Sequence, residues 1–246
     1  MIPKVIHYCW FGKQPLPKLA VKCIESWKKF MSDYEIREWN ESNFDVNIIP
    51  YTQEAYEKKK YAFVSDYARF WILYNYGGIY FDTDVEVIKP MTHIINAGAF
   101  LACECSPNIT KPTKVIAPGL GIASEPKHPL YKTFLESYHN SHFSIGDSTN
   151  QETVVTRVTK ILEKYNLSYS TEVENIEGIN IYPPEYFCPI NCYTGEKNIT
   201  EHTVSIHHYA ASWVDFPWHI KLWRYLHLPN SNIRGKLMKF FKKVSR

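Results

Sequence analysis

From Lys4 to Trp10 almost every position is apolar or aromatic, the pattern of a strand buried on both faces. The segment Phe11-Gly12-Lys13-Gln14-Pro15-Leu16-Pro17 reads as a loop. Beyond it Leu19, Cys23, Ile24, Trp27 and Phe30 recur at helical spacing. Tyr34 to Trp39 then alternates as a second strand and ends in the polar turn Asn40-Glu41-Ser42-Asn43. Strand, helix and strand in this order predict a parallel crossover. Tyr61 to Tyr74 is apolar over most of its circumference, which predicts a helix buried on several sides. Gly77-Gly78 closes that helix, because a glycine adopts the left-handed conformation without a Cβ penalty. Ile79-Tyr80-Phe81 follows as a short buried strand, and Val85 to Ile88 as another, ended by Pro90.

The second half is more broken. Residues 99–125 hold short β-like pieces among Pro and Gly. There Gly119-Leu120-Gly121 forms either a turn or a close backbone approach to a ligand. Pro129 to Tyr138 predicts a helix with proline in its first turn. Gln151 to Tyr165 predicts another, capped by Thr149 or Asn150. The pattern as a whole predicts an α/β fold with a mixed, mostly parallel sheet.

Chemistry concentrates where the strand after Gly78 runs out. Asp82 and Asp84 stand one residue apart just past its end, the place where open α/β sheets bind ligands. Two such carboxylates repel unless a cation or donors compensate them. Magnesium or manganese, shared with phosphate oxygens, is a frequent solution. Asp66 and Arg69 lie three apart on one face of the preceding helix. They are either an internal ion pair or a pair that hydrogen-bonds polar ligand groups. The desolvation cost of a buried charged pair favours the second reading.

Ser65-Asp66-x-x-Arg69 followed by Gly77-Gly78-x-Tyr80-x-Asp82-x-Asp84 resembles the donor-sugar signature of the DXD glycosyltransferases of family 32. That family includes bacterial capsular-polysaccharide enzymes and is similar to the glucosyltransferase domain of the large clostridial toxins. Ile2 to Gly12 resembles the family's first strand and nucleotide loop. Ile206-His207-His208-Tyr209-Ala210-Ala211-Ser212-Trp213 resembles its closing motif, and Tyr182 to Phe187 a stretch of the capsular branch. Gly146-Asp147-Ser148-Thr149-Asn150 stands where many relatives carry a Thr-Gly-Pro-like turn.

The resemblance implies a GT-A nucleotide-sugar-binding (Rossmann-like) fold and a retaining transferase that uses a divalent metal, Mn2+ or Mg2+. It implies that Asp84 binds the metal and that Asp82 contacts the donor ribose or sugar. Asp66 and Arg69, beside Ser65, would then hold sugar hydroxyls, and Tyr80 would lie beneath the donor. Trp10 either matches the base-stacking position or is a core Trp, Asn43 in the turn after the second strand is a further base-contact candidate, and their match to the uridine-binding branch favours a UDP-sugar. His207 or His208, with Ser212, completes the metal ligands, and Trp213 covers the diphosphate. Strand alternation puts the two histidines on opposite faces, so only one faces the site, and His207 is preferred. No residue stands out as a covalent nucleophile, which suits a mechanism in which the departing phosphate serves as base.

Composition adds two points. Aromatic residues make up 15% of the 246 residues, with 18 Tyr and 7 Trp, an excess that fits sugar and base stacking. The six cysteines include no Cys-x-x-Cys, so free thiols in a reducing, cytoplasmic setting are expected. The chain divides into residues 1–228, the catalytic domain, and residues 229–246, a basic tail. Asn230 to Arg246 carries six basic and no acidic residues, while the whole chain has a net charge of +3. At 100° per residue, Ile233, Leu237, Phe240, Phe241 and Val244 share one face. The tail is either a peripheral anchor on an anionic membrane surface or a terminal helix packed on the domain.

The expected function is transfer of a hexose from a nucleotide-diphosphate sugar to a lipid-linked capsular or surface-polysaccharide acceptor, with no nucleic acid involved. Two other classes use similar features. A metal-dependent phosphohydrolase or nucleotidyltransferase requires more acidic ligands and gives Ser65, Asp66 and Arg69 no role. A non-catalytic carbohydrate-binding protein requires neither nucleotide nor metal.

Overall fold

The computed structural model describes residues 1–106, 114–143, 152–168, 170–191 and 196–210. Thr149, Asn150, Cys192, Ser212, Trp213 and the whole of the 229–246 tail lie outside the described residues.

The strands are β1 (Val5–Cys9), β2 (Glu35–Trp39), β3 (Gly78–Tyr80), β4 (Val85–Val87), β5 (Phe100–Glu104), β6 (Val115–Ile116), β7 (Ile122–Ser124), β8 (Glu174–Ile176), β9 (Ile179–Tyr182) and β10 (Ser205–His207). The helices are α1 (Lys18–Phe30), α2 (Pro50–Glu57), α3 (Tyr61–Tyr76), α4 (Thr92–Asn96), α5 (Pro129–Glu136), α6 (Val154–Glu163) and α7 (Pro184–Phe187). Among the described residues one eight-stranded sheet runs in the order β2-β1-β3-β7-β5-β9-β8, with β6 beside β5. β1 pairs in parallel with both β2 and β3, and β5 with β9. β7 is antiparallel to β3 and to β5, so β2, β1, β3, β5 and β9 all point one way. This is the mixed, mostly parallel sheet of the expected GT-A type. β4 and β10 form a separate antiparallel pair.

The strand between Gly78 and Asp82 shows how the sheet is built. Ile79 and Phe81 enter one hydrophobic core with Ile6, Trp27 and Phe100, whereas Tyr80 enters the other with Phe70, Leu101 and Tyr131. Period-two alternation therefore sends successive side chains to cores on opposite faces. α3 is buried along Val64, Asp66–Phe70, Ile72 and Leu73, as its nearly continuous apolar surface requires. It stops at Gly77, which has φ +65° and donates its N–H to Leu73 O at 2.9 Å. Gly78 has φ +99°, and a Cβ there would lie 2.6 Å from Val5 O, so only glycine lets β3 lie against β1.

His7 knits this region together. Its Nδ1 accepts the Trp39 indole N–H at 3.0 Å, which leaves Nε2–H to donate to Gly77 O, also at 3.0 Å. Burial pushes the imidazole down to about 4, so it is neutral at physiological pH.

The predicted cap of α6 is corrected. The helix begins at Val154, and the Thr153 hydroxyl accepts the Thr156 N–H, so the cap is Thr153 instead of Thr149 or Asn150. No helix among the described residues is long and apolar enough to cross a membrane.

Candidate active site

Because β1, β2 and β3 are parallel neighbours, their C-terminal ends share one edge of the sheet. Trp10 follows β1, Asn40 to Asn43 follow β2, and Asp82 and Asp84 follow β3. Base-pocket and carboxylate candidates thus line one crevice. A cavity of about 390 Å³ opens beside Trp10, lined also by Lys13, Gln14, Glu38, Asn40, Glu41 and Ser42. The Trp10 indole N–H donates to Gln14 O at 2.6 Å. Asn43 closes the turn instead of lining the cavity: its amide accepts Asn40 N–H and donates to Glu38 O, both at 2.9 Å.

On α3, Arg69 is almost fully buried and bridges two acids. Its Nη2 lies 2.9 Å from Asp66 Oδ1 and 3.3 Å from Asp82 Oδ1. Its Nε–H donates to Ser65 O. Burial pushes the Asp66 carboxyl up to about 7, although the Arg69 charge pulls the other way. Despite its burial, the Arg69 guanidinium is held even more firmly charged than usual by Asp82, Tyr80 and Asp66. The Tyr80 hydroxyl donates to Asp82 Oδ1 at 3.1 Å, and the guanidinium stands 5.0 Å from its ring centroid. The Ser65 hydroxyl donates to Tyr61 O.

Asp82, Asp84 and His207 each bring one ligand atom within 4.8 Å of the others. β10 pairs His207 opposite Val85, which carries the C-terminal motif to the carboxylates from a distant part of the chain. His207 Nε2 is 3.1 Å from Asp84 Oδ1, and Asp84 Oδ2 accepts the Ala210 N–H at 2.7 Å. Burial alone would raise the Asp84 pKa, but His207 and the Ala210 N–H outweigh it and hold the carboxyl at about 2. The His207 imidazole is raised, since Asp84, Asp82 and Glu104 overcome its own burial. Its Nδ1 is buried and has no hydrogen-bond partner among the described residues. His208 turns away and its Nε2 meets Glu86 Oε2 at 2.8 Å, a carboxylate also held by Lys22.

Two carboxylates and an imidazole whose ligand atoms lie this close fit a divalent cation of borderline softness. Two residues contribute that the motifs do not name. Gly119 O accepts Asp82 N–H at 3.0 Å, and a Cβ at Gly119 would lie 2.0 Å from Asp82 Oδ2, so this glycine makes room for the carboxylate. Its signal was the Gly119-Leu120-Gly121 run. Glu104 ends β5 on the same edge, and its only sequence signal is an acid at the end of an apolar strand.

Residues 17–101 match the family described as a glycosyltransferase sugar-binding region containing a DXD motif. This part of the chain is thus a DXD-type sugar-binding region of the glycosyltransferase kind. The chain is 27% identical over 208 residues to an uncharacterized glycosyltransferase of Acanthamoeba polyphaga mimivirus, covering 80% of this chain and 77% of that one. It is 25% identical over 157 residues to inositol phosphoceramide mannosyltransferase 1 of Schizosaccharomyces pombe, covering 58% of this chain and 46% of that one. Among solved structures, the glycosyltransferase PaToxG aligns with a TM-score of 0.46 at 17% identity, covering 66% of this chain and 69% of that one.

Proposed function

We propose that the protein is a glycosyltransferase that moves a hexose from a nucleotide-diphosphate sugar to a lipid-linked capsular or surface-polysaccharide acceptor, with retention of anomeric configuration. The observation that carries the reading is the convergence of Asp82, Asp84 and His207 beside the buried Arg69–Asp66 pair on one sheet edge. Asp84 and His207 would hold Mn2+ or Mg2+, which when bound neutralises the charge growing on the leaving diphosphate. Asp66 and Arg69 orient the donor sugar, and Asp82, fixed by Tyr80 and Arg69, takes a donor hydroxyl. Trp10 forms one wall of the base cavity, and a UDP-sugar is the first choice of donor. Ser212 and Trp213 complete the ligand set and cover the diphosphate in the same reading.

The mannosyltransferase name of the Schizosaccharomyces pombe relative supports hexose transfer, and its inositol phosphoceramide substrate supports a lipid-linked acceptor. Residues 229–246 form a basic appendage to the 1–228 domain and hold the enzyme peripherally on the inner face of an anionic membrane.

Calorimetric titration with UDP, GDP and ADP, with and without Mn2+, tests the reading. Metal-dependent binding of one diphosphate is the expected result. A phosphohydrolase would instead cleave simple phosphate esters, and a carbohydrate-binding protein would bind none of the three nucleotides.

A further inference from the structure

Along the shared sheet edge the order of strands is also an order of functions. The base cavity lies at β2 and β1, the Asp82–Asp84 centre follows at β3, and β7 and β5 come next. β5 points the same way as β3, since each is antiparallel to β7, so its C-terminal residue, Glu104, sits on this edge. Two strand spacings place it roughly 9–10 Å beyond β3, on the side away from the base cavity. Glu104 is partly buried, and its carboxyl has no hydrogen-bond or ion-pair partner among the described residues. It lies close enough to His207 for each to feel the other's charge. Because Glu104 is only partly buried, its carboxyl is open to a donor that enters from solvent. Every other acid at the centre has its donors: Asp66 has Arg69, Asp82 has Tyr80 and Arg69, and Asp84 has Ala210 and His207.

We propose that Glu104 binds the acceptor, its carboxyl taking the hydroxyl of the incoming carbohydrate beyond the metal centre. The proposal rests on the transferase reading above. The reach of Glu104 fits the edge order: the donor occupies the crevice from Trp10 to Asp82, and the attacking hydroxyl enters at the far side.

The test compares wild type, Glu104→Ala and the near-isosteric Glu104→Gln, each with a melting curve. The assay measures glycosyl transfer from the donor to a panel of methyl hexosides against transfer to water. In Glu104→Ala the hexoside-to-water ratio should fall about ten- to hundredfold, as for loss of a hydrogen bond to a charged group. Nucleotide and Mn2+ affinities should stay within about twofold, and Glu104→Gln should recover part of the ratio through its amide oxygen.

If wild type uses water alone, Glu104→Ala must slow donor hydrolysis at unchanged donor KM. An unchanged ratio, or unslowed hydrolysis in that second case, overturns the proposal. So does a fall in Mn2+ affinity, which would make Glu104 a metal ligand. A wild-type protein that binds no nucleotide would overturn the transferase reading itself.

Discussion

His7 is buried and His207 mostly so, both on strands of this domain, yet their surroundings give them opposite characters. His7 spends both ring nitrogens on the scaffold, one on Trp39 and one on Gly77, and burial keeps it neutral. His207 faces Asp84, is driven toward its charged form, and has no partner for Nδ1 among the described residues. A histidine whose hydrogen bonds all close within the fold is part of the frame. One whose Nε2 faces a crowded pair of carboxylates, and whose Nδ1 stays unpaired among the described residues, is not closed into the frame in that way. The same contrast separates Asp82 and Asp84, which crowd together, from surface ion pairs such as Lys28–Glu25, which solvent screens.

The strongest way to break this contrast is Asp84→Ala. Removing a direct ligand at the leaving group should lower turnover by about a thousandfold or more, several kcal/mol of transition-state stabilisation. The melting temperature should change little. Near-wild-type turnover at saturating donor and metal would remove the metal assignment. Arg69→Ala comes next, because it leaves Asp66 and Asp82 without their shared cation. Loss of one partner from such a buried set costs about 3–5 kcal/mol in stability. Turnover should fall far more than affinity for free UDP, and denaturant titration alongside kinetics separates the two effects. If UDP affinity falls as far as turnover, Arg69 serves the fold alone.

On the frame side, His7 gives a signature in pH. Its folded pKa of about 4 lies below its ordinary value near 6.5, so the unfolded chain takes up the proton first as pH falls. The stability that neutral His7 contributes is complete above pH 6.5 and declines by about 3 kcal/mol as pH drops to 4. Asp66 and Glu104, raised by burial, act in the opposite direction over the same window. The readout is therefore the difference between wild type and His7→Gln, whose amide can keep both hydrogen bonds. A pH-independent difference would show that His7 is not held neutral. The smallest expected effect is that of Gly119→Ala. The new methyl must displace the Asp82 carboxylate rather than backbone, so stability should drop by under about 1 kcal/mol. Turnover should fall by up to about a hundredfold through misplacement of Asp82. Unchanged kinetics would mean that Asp82 tolerates the shift.

Much of the frame was legible in the sequence because its signals are local. The apolar run before Trp10, the periodicity of α1, the all-round apolar α3 and its diglycine stop each appear where the pattern predicts them. The start of α6 was misread because Thr149, Asn150 and Thr153 offer equivalent capping chemistry, and only the backbone decides among them. The β8–β9 hairpin escaped because its turn, Glu177-Gly178, carries little apolar contrast with its neighbours. At the site, sequence spacing gave the Asp66–Arg69 and Asp82–Asp84 pairs. Gly119 and Glu104 reach the centre through sheet order, which depends on pairings between distant segments and leaves no mark within a short window.

The central claim is that Asp84 and His207 form a cation site serving a bound nucleotide, whereas His7 does not. The most direct measurement is UDP affinity by calorimetry with and without Mn2+, for wild type, Asp84→Ala, His207→Ala and His7→Gln. Mn2+ should strengthen UDP binding by at least about tenfold in wild type and in His7→Gln. It should have almost no effect in the other two. Nucleotide binding that ignores Mn2+ in wild type, or an Asp84→Ala protein that responds to the metal as wild type does, would contradict the account.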